Sequence, residues 1–259
     1  MIFTDKPNMK NITPLLTEAE TFKTELHELR TQLDNNTIIE ALNIEYTYES
    51  NRIEGNTLTL RETSMVINEG ITIGGKALRE HLEAINHQEA IALIDDIVAR
   101  KTVFSEYLLK QLHGLILHGI DRENAGVYRK VPVMISGSQH IPPQPYLLQP
   151  LMEEYFIFYT ENKNSLHPII LAAEMHERLV TIHPFIDGNG RTSRLVMNLI
   201  LLQHGYPLAI LKGDYAARMK YYNALEQVQT AKEKNTFFEL ITETVIDNLK
   251  RYISVLQNK

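Results

Sequence analysis

The sequence predicts a mainly α-helical protein with one β-hairpin. Most of its 259 residues show the three-to-four-residue spacing of apolar side chains that is typical of amphipathic helices. One stretch, Ala125–Pro145, instead has branched and aromatic residues around a Gly137-Ser138 turn and ends at Pro142-Pro143. That composition predicts two short strands joined by a turn. No apolar run is long enough to span a membrane.

The N-terminal part is predicted to hold a polar arm and two helices: residues 1–14, Thr17–Leu33 and Asp34–Glu49. The second helix ends at Ser50–Asn56, where Gly55 is a natural stop. Thr59 and Glu62 have the spacing of a capping box, which predicts the start of a third helix. After a glycine-bearing break at Gly70–Gly75, the remaining predicted helices are Arg79–Arg100, Leu108–Ile120, Leu147–Tyr159, Leu171–Ile182, Leu195–His204, Asp214–Gln229 and Thr236–Leu256.

The composition is that of an ordinary globular protein, with 44% hydrophobic and 22% charged residues. A net charge of −6 provides no basic surface for nucleic acid. The absence of cysteine excludes disulfides and thiolate chemistry. The first residues lack the pattern of a secretory signal. We therefore expect a cytoplasmic protein that binds neither membrane nor nucleic acid.

The chemistry is concentrated in His183–Arg194, HPFIDGNGRTSR, which lies between two predicted helices. Gly188 and Gly190 allow positive φ and expose successive amides at a helix N-terminus, which predicts an anion site. Arg191 and Arg194 are poorly placed for the helix dipole unless they bind phosphate there. Asp187 is then a candidate Mg²⁺ ligand.

His183 completes this set as a candidate general base, because an imidazole titrates near neutrality. An anion cradle, a metal carboxylate, two arginines and a base together predict phosphoryl or nucleotidyl transfer. The loop is not a Walker A motif, since no Gly-Lys-Ser/Thr follows its glycines. A dinucleotide-binding motif is excluded too, because no strand is predicted before it.

HPFIDGNGRTSR resembles the signature loop of Fic-domain proteins, His-x-Phe-x-Asp/Glu-Gly-Asn-Gly-Arg-x-x-Arg, at every specified position. The resemblance implies a Fic-type helical bundle and transfer of AMP from ATP to a Ser, Thr or Tyr hydroxyl of a target protein. It implies His183 as the base and Mg²⁺ on Asp187. The phosphates would be bound by Gly188, Asn189, Gly190, Arg191 and Arg194.

Glu54 can be interpreted in two ways from the residues alone. It is either a solvated acid at an unfavourable helix end or a carboxylate held by a cation elsewhere. Ser50-x-x-x-Glu54-Gly55 resembles the inhibitory-helix motif of Fic proteins, Ser/Thr-x-x-x-Glu-Gly/Asn. This resemblance implies that Glu54 pairs with Arg194 and blocks the position of the γ-phosphate.

The same resemblance implies further parts. Gly126, Tyr128 and Arg129 begin a segment similar to the Fic flap, which covers the site and contacts the target. Its tip would be Gly137, Ser138, Gln139 and His140. Tyr221 is the candidate for stacking on adenine, and Gln229 is the nearest counterpart of a base-contacting Asn. The expected division is an N-terminal region 1–100 with the inhibitory helix at about 36–55, a Fic core 101–235 with the flap at about 126–145, and a closing helix 236–259.

Other functions stay open at this point. Glu54 could orient a water that removes AMP from a target, and the loop could carry UMP, phosphate or phosphocholine instead. A catalytically silent binding or toxin–antitoxin-like scaffold is a third alternative. Self-modification and a homodimer are expectations from similar proteins. His81, Glu83, His87 and Glu89 are expected to be surface or partly buried groups and not metal ligands, as are His113 and His118; His176 is expected to be structural.

Overall fold

The computed structural model describes residues 11–30 and 36–257, and within these ranges the chain forms α-helices and no strand. The helices are α1 Ile12–Arg30, α2 Asn36–Ile53, α3 Leu60–Glu69, α4 Leu78–Ala99, α5 Glu106–Ile116, α6 Leu148–Asn162, α7 Pro168–Ile182, α8 Asn189–Gln203, α9 Tyr215–Glu226 and α10 Asn235–Gln257. The mainly α fold class is thereby confirmed.

The centre of the molecule is the packed pair α7 and α8. Helix α7 is buried at every position from Ile169 to Ile182, and α8 is buried from Arg191 to Leu201. Helices that are enclosed on all sides lie in the middle of a bundle and not on its surface. The short loop between them, residues 183–188, is therefore held at both ends by the core.

One hydrophobic core includes residues from all three expected segments, for example Ile12, Leu109 and Leu249. Helices α1 and α10, from opposite ends of the chain, pack against each other. The expected boundaries near residues 100 and 235 are therefore not breaks in packing, and the division into three parts stays a prediction. In the described part of the chain no helix is long and apolar enough to cross a membrane.

The first helix starts earlier than the sequence predicts, whereas the second ends where it is predicted to end. Helix α1 begins at Ile12, not at Thr17, because Pro14 is tolerated in a first turn. The predicted arm lies outside the described residues as far as residue 10, and the predicted junction at Leu33 also lies outside them. Helix α2 ends at Ile53, within the predicted end segment Ser50–Asn56, so its last turn contains Ser50.

The turn after α2 and the start of α3 follow the sequence prediction. Gly55 has φ +96, a left-handed conformation that favours glycine. The Thr59 side chain accepts the Glu62 amide at 3.2 Å, and the Glu62 carboxylate accepts the Thr59 amide at 2.7 Å. This capping box is confirmed. It fixes the direction in which the chain leaves α2.

The predicted hairpin is wrong, because residues 126–144 are extended segments and turns without strand pairing. An isolated two-stranded ribbon is marginal, and prolines in this segment lack the amide that a ladder needs. The Arg129 guanidinium takes the place of the ladder. It donates to the carbonyls of Val131 at 3.1 Å, Pro143 at 2.5 Å and His183 at 2.8 Å. Both legs of the segment, which we call the flap, are thus tied to the α7–α8 loop.

Candidate active site

His183 ends α7 in a left-handed conformation, φ +51 and ψ +58. A non-glycine residue adopts this region only when its surroundings impose it, and such residues cluster at functional sites. Its Nδ1 lies 3.3 Å from the carbonyl of Val180. Because a carbonyl only accepts, Nδ1 carries the proton and Nε2 is the unprotonated nitrogen. Burial lowers the pKa of His183 to about 4, so the imidazole is neutral at pH 7.

Asn189 and His113 hold the loop from the inside. The Asn189 amide group accepts the Phe185 N–H and donates to the Phe185 carbonyl, both at 2.9 Å. The His113 ring stacks on Phe185 with centroids 3.6 Å apart. Its Nδ1 accepts the Gly126 amide, and its Nε2 lies 2.9 Å from the Asp187 carbonyl. This tautomer is neutral, and burial lowers the pKa of His113 to about 4.

His113 therefore joins α5, the start of the flap and the catalytic loop. The sequence predicts a surface or partly buried group at this position, and that prediction is wrong because His113 is fully buried. The available signal was its position on the apolar stripe of α5, since a buried polar side chain needs partners. Asn189 was predicted to bind phosphate, but its side chain makes two hydrogen bonds to the Phe185 backbone. Its backbone amide lies in the first turn of α8, and phosphate binding by Asn189 stays a prediction.

The two glycines of the loop have different roles. Gly188 has φ +77 and caps α8, as predicted. Gly190 does not have positive φ, so that part of the prediction was wrong. It is needed for space, because an added Cβ would lie 2.3 Å from Oε1 of Glu54 and 3.1 Å from Nη1 of Arg194. The first-turn amides of α8 have no intrahelical partner. They lie on the side of the loop that borders a cavity, which we call the open face.

Arg194 is the buried cation beneath that face, with 1% of its side chain exposed. Its Nη2 donates to Oε1 of Glu54 at 2.8 Å and to the Ser50 carbonyl at 2.9 Å, and its Nε donates to the Ser50 hydroxyl at 3.0 Å. Its Nη1 is buried without a hydrogen-bond partner. Burial lowers the pKa of Arg194, but the charge of Glu54 outweighs this and raises it. An anion would satisfy the free nitrogen.

Asp187 accepts from three groups. Its Oδ1 accepts the Gly188 amide at 2.6 Å and lies 3.4 Å from Nη2 of Arg191. Its Oδ2 lies 2.5 Å from Nη2 of Arg79 in α4. Burial raises the pKa of Asp187, but Arg191, the Gly188 amide and Arg79 together lower it. The carboxylate is therefore ionised and partly exposed, as a Mg²⁺ ligand must be.

A single carboxylate fits Mg²⁺, which uses one or two carboxylates together with substrate phosphates. In the described ranges, no three His, Asp or Glu side chains form a metal-binding group.

The Arg191 side chain does not lie at the predicted phosphate site. It is 2% exposed, and its Nη1 lies 3.3 Å from Oε1 of Glu83 in α4. The 60° between positions three apart on a helix turns Arg194 toward the open face and Arg191 toward α4. The Arg191 guanidinium thus contacts Asp187 from the buried side of the loop.

A cavity of about 580 Å³ opens over these groups. It is lined by Glu54, Gly137, Ser138, His183, Asp187, Gly188, Asn189, Gly190, Arg194, Tyr221, Tyr222, Glu226 and Gln229, among others. The structure thus brings together the predicted base, amides, carboxylate and second arginine. Gln139 and His140 of the predicted tip are not among the lining residues. The Gln139 amide donates to Glu226 at 2.8 Å, and His140 lies 2.9 Å from the Thr181 carbonyl.

The predicted adenine contact is less direct. Tyr221 lines the cavity but is only 2% exposed, and its hydroxyl lies 3.0 Å from Nε2 of His176. That contact confirms His176 as structural. A stacking ring must present a face, and Tyr222 is 39% exposed with its hydroxyl on the Ile53 carbonyl. Stacking on Tyr221 stays a prediction, and Tyr222 is the better-placed ring.

His81 and His87, which are not expected to be metal ligands, have hydrogen-bond partners within the protein. Nε2 of His81 accepts the Ile73 amide at 2.8 Å, and Nδ1 of His87 lies 3.1 Å from the Thr47 hydroxyl. Both rings are buried, so the expectation of surface or partly buried groups was wrong for them.

Comparisons with known proteins show which family and which fold this chain resembles. Residues 103–201 match the family model of the Fic/DOC family. The protein adenylyltransferases Fic of Drosophila grimshawi and Drosophila virilis are each 38% identical over 183 residues, 70% of this chain. The chain spans only 37% of the length of these curated relatives.

Among solved structures, Fic-1 of C. elegans has a TM-score of 0.82 at 28% identity, covering 93% of this chain and 71% of that one. A Fic domain containing signaling protein of Bacteroides thetaiotaomicron has a TM-score of 0.83 at 25% identity, covering 93% and 98%. Sequence, loop geometry and fold thus agree, and the chain carries a domain of the Fic/DOC family.

Proposed function

We propose that this protein transfers AMP from ATP to a Ser, Thr or Tyr hydroxyl of a target protein. The observation that carries the proposal is one cavity shared by the unprotonated Nε2 of His183 and the first-turn amides of α8. A base on one wall and an anion site on the other are what nucleotidyl transfer requires. The curated relatives bear the name protein adenylyltransferase, which supports the same reaction.

The reaction is an in-line displacement. His183 takes the proton of the target hydroxyl, whose oxygen forms a bond to the α-phosphorus. The bond from that phosphorus to the β-phosphate oxygen breaks, and pyrophosphate leaves. The first-turn amides of α8, those of Asn189, Gly190 and Arg191, stabilise the charge on the phosphates, while the Gly188 amide holds Asp187. Mg²⁺ held by Asp187 would neutralise part of this charge when bound.

The proposal includes a brake formed by Glu54. Its carboxylate pairs with Arg194 at 2.8 Å and lines the cavity together with His183. An anion that used Arg194 would have to displace this carboxylate, since both need the same guanidinium. Ser50 holds the guanidinium in place through its hydroxyl and its carbonyl.

The flap is proposed to receive the target. Its residues Gly137 and Ser138 line the cavity, and Arg129 anchors both of its legs to the carbonyl of His183 and to each other. A segment tied to the base in this way can set the position of a bound hydroxyl relative to Nε2. A homodimer and self-modification are further proposals, drawn from similar proteins.

The decisive test uses ATP labelled at the α-phosphate, with Mg²⁺. Wild type, Glu54→Gly, Glu54→Gly/His183→Ala and the control Glu69→Gly are assayed for label on protein. Glu69 is the exposed last residue of α3, so the control makes the same substitution at a helix end. We expect label with Glu54→Gly alone. Equal label in wild type and Glu54→Gly would contradict the brake, and label that survives His183→Ala would contradict the base.

One alternative has a specific observation in its favour. Glu54 lies on the cavity wall with a third of its side chain exposed, so it could orient a water for removal of AMP from a modified target. Labelled protein made by Glu54→Gly is purified and incubated with wild type or with Glu54→Gln. Loss of label with wild type only would assign the hydrolytic reaction to Glu54. Retention with both would exclude it.

A further inference from the structure

Arg79 contacts Asp187 of the catalytic loop, which lies 108 positions later in the sequence. It lies in the first turn of α4, and its Nη2 is 2.5 Å from Oδ2 of Asp187. Its Nε also lies 3.2 Å from Oε1 of Glu83. The Arg79 side chain is 56% exposed, in contrast to the 2% exposure of Arg191 on the other side of Asp187.

These contacts form a closed ring of alternating charges. Arg191 contacts Asp187 and Glu83, and Arg79 contacts the same two acids. The ring holds the two oxygens of Asp187 differently. Oδ1 is held by the Gly188 amide and by the buried Arg191, whereas Oδ2 is held by the exposed Arg79. The outward oxygen is thus the one paired with a side chain that can move.

We propose that Arg79 is a built-in competitor of the divalent cation at Asp187. The inference rests on the proposed function, which places Mg²⁺ on this carboxylate. A cation bound at Oδ2 needs the lone pairs that the guanidinium now uses, and like charges repel strongly at contact distance. The Nη2 end of Arg79 then turns into solvent, while Nε of Arg79 stays on Oε1 of Glu83. Arg79 acts through Asp187 and is a positioning residue.

This arrangement has a consequence for the order of binding. The metal alone must displace Arg79 without compensation. A metal that arrives with a nucleotide carries the negative charge of its phosphates, which offsets the repulsion from Arg79. Arg79 therefore weakens binding of the free ion more than binding of the metal–nucleotide complex. The site selects the complex over the ion.

The test measures Mn²⁺ affinity of the nucleotide-free protein by electron paramagnetic resonance. The variants are Arg79→Ala, Arg79→Lys, Arg79→Ala/Asp187→Asn and the control Arg100→Ala. Arg100 is the exposed residue that caps the C-terminus of the same helix, and it pairs with Asp96. We expect Arg79→Ala to lower the Kd about tenfold, as loss of a unit charge beside a divalent ion in a partly exposed site predicts. Arg79→Lys and Arg100→Ala should resemble wild type, and the double variant should lose the gain.

Three results would overturn the proposal. They are an unchanged or weaker Mn²⁺ affinity in Arg79→Ala, a gain that persists in the double variant, and no measurable binding by Arg79→Ala at millimolar Mn²⁺. The readout does not depend on catalysis. Failure of Glu54→Gly to transfer AMP would therefore count against the proposed function and leave the Mn²⁺ result standing.

Discussion

Glu54→Gly is expected to tighten the binding of ATP and to leave the binding of ADP almost unchanged. The substitution removes the carboxylate that Nη2 of Arg194 contacts at 2.8 Å. Arg194 keeps both contacts to Ser50, so the guanidinium stays in place. In the proposed pose only the γ-phosphate competes with Glu54 for it. The two nucleotides therefore differ in whether they must break the ion pair.

The size of the effect follows from the exposure of the two partners. A hydrogen bond between charged groups contributes about 1.5–3 kcal/mol. Arg194 is 1% exposed, but 34% of the Glu54 side chain faces solvent, which screens the pair. We therefore take the lower value, about 1.5 kcal/mol, which corresponds to about a tenfold change in Kd. The free energy of unfolding should fall by about 1–2 kcal/mol, because a partly buried charged contact is lost.

The assay is isothermal titration calorimetry with ADP and with an ATP analogue that resists cleavage between the α- and β-phosphates. Wild type, Glu54→Gly, Glu54→Gln and the control Glu69→Gly are compared. Glu54→Gln keeps the size of the side chain and removes its charge, so it should show part of the gain. We expect the ratio of the ADP Kd to the ATP Kd to rise about tenfold in Glu54→Gly. An equal gain for both nucleotides would refute the argument that Glu54 occupies the position of the γ-phosphate.

Two further predictions concern the histidines of the site. The pKa of His183 is about 4 in the folded protein and about 6.5 when unfolded, so protons bind the unfolded state more tightly. Its contribution to the free energy of unfolding should be complete above pH 6.5 and fall as the pH decreases to about 4. A two-dimensional NMR titration should show neutral imidazole down to about pH 5, and an apparent pKa near 6.5 would contradict this. His113→Ala leaves the Gly126 amide and the Asp187 carbonyl unpaired and should cost about 2–4 kcal/mol in urea unfolding, whereas the exposed His118→Ala should cost less than about 0.5 kcal/mol.

The sequence predicted the parts of the site that lie within the loop. His183, Asp187, Gly188 and Arg194 line one cavity because they are close in the chain and because the flanking helices fix the loop between them. Glu54 was different. Its local sequence favoured a solvated acid, and only the resemblance of Ser50–Gly55 to an inhibitory helix connected it with Arg194.

The residues that the sequence could not assign come from α4. Arg79 and Glu83 lie 100 or more positions before the loop, and a charged residue on a helix gives no local sign of a distant partner. Arg191 was misplaced for the same reason. Its spacing from Arg194 is consistent with a shared phosphate, and only the position of α4 shows that the side chain is enclosed.

The flap shows a second limit of prediction from the sequence. Branched residues around Gly137 predicted strands, but the pairing of strands depends on amides that prolines lack and on a third strand that this chain does not supply in its described residues. Arg129 joined the two legs instead, through three backbone carbonyls. A sequence pattern can show that a segment is extended without showing how its backbone groups are satisfied.

The backbone of the loop is fixed by buried contacts, whereas its charged side chains at the cavity have partners that can move. Asn189 and His113 fix its backbone through buried contacts that no ligand needs to break. Its two charged groups that face the cavity are instead paired with partly exposed side chains from the N-terminal region, Arg194 with Glu54 and Asp187 with Arg79. The two pairs have opposite polarity. A nucleotide alone can replace only the anion, and a metal alone can replace only the cation. The metal–nucleotide complex carries both charges, so it is the ligand that can release both contacts together.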